Sequence, residues 1–165
     1  MATHVVYISV GSNLGRRLVN CRKGIVALTR SAAIRWLDQS RIYQTEPVDY
    51  RTQDWFINCV VKMEAALDPL SLLDLVKSIE RQAGREGDSV RFGPRVLDLD
   101  IVLYDDIVFN HPRLVIPHPR MHKRRFVLKP ICDIDPTILH PVFNQSMQSL
   151  LDKLPQEGQR IAVYR

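Results

Sequence analysis

The most constraining stretch of this chain is Arg91-Phe-Gly-Pro-Arg-Val-Leu-Asp-Leu-Asp100, followed at once by Ile-Val-Leu-Tyr104. The β-branched and apolar run after the aspartates predicts a buried strand over residues 96–104. Side chains two apart on a strand share a face. Leu97, Leu99, Ile101 and Leu103 are therefore expected to line the core, with Asp98 and Asp100 projecting together from the other face. Two close carboxylates repel one another, and a hard cation relieves the conflict. Mg²⁺ suits them, because it binds through one or two carboxylates plus substrate phosphates. Arg91 and Arg95 bring the charge such phosphates need. Asp is disfavoured in strands, so a merely solvated face is the weaker account of this pair.

The remaining elements predict an order that can carry such a strand. Residues 5–11 read as a first strand, closed by Gly11-Ser-Asn-Leu-Gly15. This turn lacks the Gly-Lys-Ser/Thr ending of a P-loop. A helix is expected over residues 17–31, with Val19, Ile25, Val26 and Leu28 among its apolar positions. Residues 33–45 read as one extended strand, 46–54 as a polar loop, and 55–67 as an alternating strand. Asp68-Pro69 predicts a helix start with Asp as N-cap. Leu72, Val76, Ile79 and Ala83 stripe that helix, and Gly84 ends it. The order β-α-β-β-α-β is the ferredoxin-like unit, an α+β fold with both helices on one side of an antiparallel sheet. A C-terminal extension adds an edge strand over 107–115, one or two short helices and a last strand near 160–164.

The third strand reinforces the first argument. Trp55, Ile57, Cys59, Val61 and Met63 alternate on its core side, leaving Phe56, Asn58, Lys62 and Glu64 on the other. An aromatic ring, an amide and two carboxylates on one sheet face suit a flat polar heterocycle near a metal-bound phosphate. Composition sets the outer limits. A chain of 165 residues with 45% hydrophobic content suits a single domain over 1–165, and the net charge of +5 points to an anionic partner. No apolar run is long enough to span a membrane and no signal segment is legible. Cys21, Cys59 and Cys132 show no metal-ligand spacing, which favours a reducing cytoplasm.

Phe92-Gly-Pro-Arg95-Val-Leu-Asp98-Leu-Asp100 closely resembles the signature of the 6-hydroxymethyl-7,8-dihydropterin pyrophosphokinase family of folate biosynthesis. Further matching segments are Tyr7-Ile-Ser-Val-Gly11-Ser12-Asn13-Leu14, Tyr43-Gln-Thr45-Glu-Pro47, Phe56-Ile-Asn58, Ile79-Glu80-Arg-Gln-Ala-Gly84-Arg85, Arg113-Leu-Val-Ile-Pro117-His118 and Arg124-Arg-Phe126-Val-Leu-Lys-Pro130. The resemblance covers nearly the whole chain, and its segments occur in the family's order. It implies Mg²⁺-dependent transfer of the terminal pyrophosphoryl group of ATP to the pterin hydroxymethyl oxygen, with AMP leaving.

The resemblance also implies roles. Asp98 and Asp100 would hold two Mg²⁺ ions, and Arg85 and Arg95 would act on the phosphates. Glu80, Ile101, Arg113, His118 and Arg124 complete the expected ATP site. The pterin would stack between Phe56 and Phe126 with Phe92 as a lid, and meet Gly11, Asn58, Asp98, Thr45, Glu46 and Val48. No side chain stands out as a strong general base, so help in deprotonation is assigned to a metal near the hydroxymethyl oxygen. Four positions depart from the family pattern: Phe92 stands for a tryptophan, Gly87 for an arginine, Pro119 for an aromatic and Glu46 for a proline. Altered affinity rather than lost activity is expected from them.

Two other classes compete. An RNA-recognition sheet would share the fold order and basic charge, but carboxylates on its open face repel a nucleic-acid backbone. A metal-dependent nucleotidyltransferase would use the same aspartates and transfer AMP instead. The favoured reading has ATP and the pterin as partners, with no nucleic acid, no membrane, and a stand-alone monomer.

Overall fold

The computed structural model describes residues 2–47, 52–84 and 94–165. Five antiparallel pairings build the sheet. β1 (His4–Ser12) is flanked by β5 (Asp98–Tyr104) and β4 (Phe56–Ala65), both antiparallel to it. β2 (Ile34–Gln39) and β3 (Tyr43–Thr45) pair in turn with the two ends of β4, and β8 (Ile161–Val163) adds to β3. The resulting order β5-β1-β4-β3-β8 contains the ferredoxin-like arrangement expected from the sequence.

The extended stretch 33–45 proves to be two strands. Ser40 causes the break: its amide donates to the Val60 carbonyl at 2.9 Å, and its hydroxyl accepts from the Val60 amide at 2.9 Å. A side chain has replaced a backbone partner, so the ladder restarts at Tyr43. The expected edge strand over 107–115 is instead a separate hairpin, β6 (Phe109–His111) with β7 (Leu114–Ile116).

α1 (Arg17–Arg30) and α2 (Pro69–Gln82) cover one face of the sheet. The α2 start follows its sequence signals, since the Asp68 carboxylate accepts from the Ser71 amide at 2.9 Å. Its end does too, because Gly84 takes φ 104°, a left-handed conformation suited to glycine. Cys21, Gly24 and Leu28 form the buried stripe of α1, while Val19 and Val26 are exposed, contrary to the expected stripe. Gly24 is small for a reason: a Cβ there would lie 2.9 Å from a Leu97 methyl.

The opposite face is only partly open. α3 (Arg125–Ile134) and α4 (Met147–Asp152) pack on it through Tyr7, Val60, Leu103, Leu128, Ile131 and Leu150. Leu103 reaches this second core because the register between β1 and β5 shifts, with Tyr7 opposite Leu103 but Ile8 opposite Ile101. One extra residue reverses the side-chain alternation. Leu103 thus leaves the face of Leu97, Leu99 and Ile101 on which simple alternation put it. The end of this face that α3 and α4 leave clear carries the candidate site.

Candidate functional site

Strand register assembles the site in layers. Under α3 and α4 the layer is apolar, with Tyr7 opposite Leu103. Next, Ser9 lies between Asp100 and Val60. The outermost layer places Gly11 between Asp98 and Asn58, with Tyr43 beyond Asn58. Asp98 and Asp100 therefore share one face, two residues apart, as the sequence predicted, and both are half-buried.

Gly11 is required by close approach. A Cβ at this position would sit 2.4 Å from Asn58 Oδ1 and 3.6 Å from the Phe56 ring. Asn58 is buried, and its Nδ2 donates to Thr45 Oγ1. Sequence reasoning brought Gly11, Thr45, Phe56, Asn58, Asp98 and Asp100 together, and the fold places them on neighbouring strands in these layers. Val48, Arg85 and Phe92, each expected at the site, lie outside the described residues, as do Gly87 and Arg91.

Cations flank the carboxylates. Arg95 is buried, with Nε 4.0 Å from Asp98 Oδ1 and Nη1 donating to the Pro94 carbonyl. Its backbone is clamped by Asn13: the Arg95 amide donates to Asn13 Oδ1 at 2.8 Å, and the Asn13 amide to the Arg95 carbonyl at 3.0 Å. Asn13 Nδ2 also donates to Gln53 Oε1 and the Asp54 carbonyl. This asparagine ties three segments together at the site, a role that sequence reasoning missed. Its sequence signals were its place in the Gly11–Gly15 turn and in a family-matching segment, and neither shows these partners. An open depression of about 520 Å³ beside it is lined by Gly15, Arg17, Gln44, Asp54 and Trp55, and includes neither Asp98 nor Asp100.

His118 follows β7 and is fixed by bonds to backbone groups. Its amide donates to the Val102 carbonyl at 3.0 Å, and Nδ1 accepts from the Arg120 amide at 3.1 Å. The proton of the neutral ring is therefore on Nε2, making the ring a donor. Burial lowers the His118 pKa; Asp100 opposes that shift, and Arg124 and Arg120 add to it. Arg124 is the N-cap of α3, and its guanidinium lies 5.4 Å over the Phe126 ring.

Glu80 is almost wholly buried on α2. Its carboxylate accepts from the Leu99 amide at 2.9 Å and from Lys77 Nζ at 3.3 Å. It thus holds β5 between the two aspartates. Ile101 faces the helix-side core, leaving only its main chain for a ligand. Arg113, at the tip of the β6-β7 hairpin, pairs with Asp74 of α2. Glu46 bonds the C-terminal strand.

The donor set fits a hard divalent cation. Asp98 and Asp100 offer oxygen ligands only, with the Ser9 hydroxyl in the same layer as Asp100. Among the described residues no group of three or more His, Cys, Asp or Glu side chains could hold a metal. Such a site suits Mg²⁺, whose remaining ligands come from water and substrate phosphates.

An α+β sheet whose open end joins paired carboxylates to arginine and a histidine donor is the framework of a phosphate-transferring enzyme. Residues 7–136 match the family model of 7,8-dihydro-6-hydroxymethylpterin-pyrophosphokinase. The chain is 40% identical over 131 residues to 2-amino-4-hydroxy-6-hydroxymethyldihydropteridine pyrophosphokinase of Bacillus subtilis, covering 79% of this chain and 78% of that one. It is 37% identical to the enzyme of the same name from Pseudomonas aeruginosa, covering 93% of each. Folic acid synthesis protein fol1 of Schizosaccharomyces pombe is 41% identical over 95% of this chain, which spans 21% of that protein's length. A crystal structure of Plasmodium falciparum HPPK-DHPS superposes with a TM-score of 0.74 at 17% identity, over 92% of this chain and 45% of that one, and shares the fold.

The chain belongs to the 7,8-dihydro-6-hydroxymethylpterin-pyrophosphokinase family. It is accordingly an ATP-dependent enzyme of the pyrophosphokinase class, acting in folate synthesis.

Proposed function

We propose that this chain transfers the terminal pyrophosphoryl group of ATP to the hydroxymethyl oxygen of 6-hydroxymethyl-7,8-dihydropterin in a Mg²⁺-dependent reaction. The observation that carries this reading is the outermost layer of the open face, where Gly11 separates Asp98 from Asn58. A phosphate-side group and a heterocycle-reading group stand on either side of a residue with no side chain. Without a Cβ, Gly11 lets the Asn58 amide lie against its backbone, so the two groups border one low surface that suits a flat ring.

Asp98 and Asp100 would hold two Mg²⁺ ions; bound there, the metal neutralises phosphate charge and acidifies the accepting hydroxyl. The remaining work is orientation. Arg95, fixed by Asn13, donates toward the triphosphate, joined by Arg85, Arg113 and Arg124. His118 donates through Nε2, while its neutral ring, which the lowered pKa favours, lets Nδ1 accept from the Arg120 amide. Glu80 and the Ile101 main chain support the nucleotide side through β5. On the other side Phe56, Phe126 and Phe92 enclose the ring, while Asn58, Thr45, Glu46 and Val48 read its edge. Phosphoryl-type transfer depends on alignment and charge neutralisation more than on a covalent intermediate, so a site without a strong base suffices.

In this reading residues 1–165 form one catalytic domain acting as a monomer, with no nucleic-acid partner. No helix of the described residues is long and apolar enough to cross a membrane. Cys21, Cys59 and Cys132 are free thiols, consistent with a reducing cytoplasm.

Product analysis tests the proposal. AMP together with pyrophosphorylated pterin, lost on adding a chelator, is the expected result. ADP, or an adenylylated pterin with free pyrophosphate, would replace it with a different transfer at the same aspartates.

A further inference from the structure

β8 is laid against β3 in the register Tyr43 to Val163, Gln44 to Ala162 and Thr45 to Ile161. The contact continues one residue further, where the Glu46 amide donates to the Arg160 carbonyl at 2.9 Å. The Glu46 carboxylate then answers in the opposite direction. Its Oε2 accepts from the Arg160 amide at 2.9 Å and lies 3.5 Å from the guanidinium Nε. The Glu46 side chain is only 14% exposed, against 72% for Arg160, so the acid is the enclosed partner.

The same guanidinium lies 5.0 Å over the Trp55 ring. Arg160 therefore touches Glu46 where the chain leaves β3 and Trp55 where it enters β4. Those two points bound the loop whose edge, in the proposed function, reads the pterin. One residue earlier, Gln159 accepts from the Arg125 amide at 2.8 Å and donates to the Lys123 carbonyl at 3.0 Å. These bonds bracket Arg124, and Phe126 follows directly. Gln159 makes them at φ 49°, a left-handed conformation that costs a residue with a Cβ.

We propose that Arg160 is a positioning residue for the pterin, acting through Glu46 and Trp55, and that Gln159 does the same for Phe126. The inference rests on the proposed function and deepens its pterin side. Residues 159–160 contact both sides of the ring site, Glu46 and Trp55 on one and the start of α3 on the other. A charge-assisted bond to a mostly enclosed acid and a cation over an indole both hold Glu46 and Trp55 in place. Holding Glu46 and Trp55 before the ring arrives lowers the entropic cost of binding. Arg160, unlike Gln159 whose bonds bracket Arg124, touches no triphosphate residue among the bonds described, so the affinity for ATP should not follow its loss.

The test is calorimetric and kinetic, on the full chain. The unaltered protein should bind 6-hydroxymethyl-7,8-dihydropterin in the presence of a non-hydrolysable ATP analogue and Mg²⁺. In Arg160→Ala the pterin Kd and KM should rise about tenfold, with the KM for ATP held within about twofold. Arg160→Lys, which keeps a cation near both partners, should recover most of the loss. Glu46→Gln should fall between them, because a neutral amide oxygen still accepts the Arg160 amide. An unchanged pterin Kd in Arg160→Ala, or equal weakening toward both substrates, would overturn the positioning role. Absence of pterin binding by the unaltered protein would overturn the proposed function itself, so the two failures are distinct.

Discussion

The two ends of one sheet face have opposite characters although the same strands build both. At one end Tyr7, Val60 and Leu103 are sealed beneath α3 and α4. At the other, Gly11, Asn58, Asp98 and Asp100 occupy the same alternating positions and form the candidate site. The transition takes a single layer, from the Tyr7–Leu103 pair to the Ser9–Asp100 pair. A sheet face is thus not one surface with one role. The sealed end fixes strand spacing by burial, and the open end uses that spacing to hold carboxylates and an amide at set separations.

Breaking the open end should damage chemistry far more than stability. Asp98→Asn and Asp100→Asn should each lower turnover about a hundredfold or more by removing ligand charge, with the melting temperature nearly unchanged. Coupled assays beside thermal melts would check this, and full activity in either variant would remove the aspartates from the site.

Breaking the sealed end should do the reverse. Leu103→Ala should destabilise by about 2–5 kcal/mol, leaving KM values of the surviving folded enzyme nearly unchanged. Chemical denaturation measures the first and assays at low temperature the second.

Gly11→Ala tests the boundary between them. Its Cβ must displace Asn58 Oδ1, so destabilisation of about 1–3 kcal/mol is expected together with weaker pterin binding. Binding measured by calorimetry should weaken more for the pterin than for ATP.

The smallest effect concerns pH. His118, His122 and His140 all have lowered pKa values, chiefly from burial. A histidine whose folded pKa is depressed binds its proton more readily when unfolded, so its contribution to stability is present above the unfolded pKa. It is lost as pH falls through the folded value. Melting temperature should therefore decline as pH drops below about 6.5, the ordinary imidazole value. NMR titration should show His118 still neutral at pH 7, and a protonated ring there would contradict the acceptance of the Arg120 amide by Nδ1.

The paired aspartates were legible because a strand's period of two needs no tertiary information. The same held for the Asp68 cap and the Gly84 stop, which depend on neighbours in sequence. Leu103 was misplaced because a β-bulge is a mismatch between two strands, and neither strand records it alone. The break at Ser40 likewise depends on Val60, twenty residues away. Asn13 looked like a turn residue until the fold brought Arg95 and the 53–54 segment to it.

Local periodicity and the order of elements decided by themselves that this chain would form an antiparallel α+β sheet with two carboxylates on one face. Their signals act over a few residues, where backbone geometry alone determines which side chains are neighbours. Only the tertiary structure decided how much of that face stays open, because α3 and α4 cover it through contacts from residues far along the chain. It also decided that Glu80 would reach the Leu99 amide and that residues 159–160 would clasp Glu46, Trp55 and the start of α3. Those contacts join segments separated by 19 to 114 positions, and their partners are set by packing rather than by spacing.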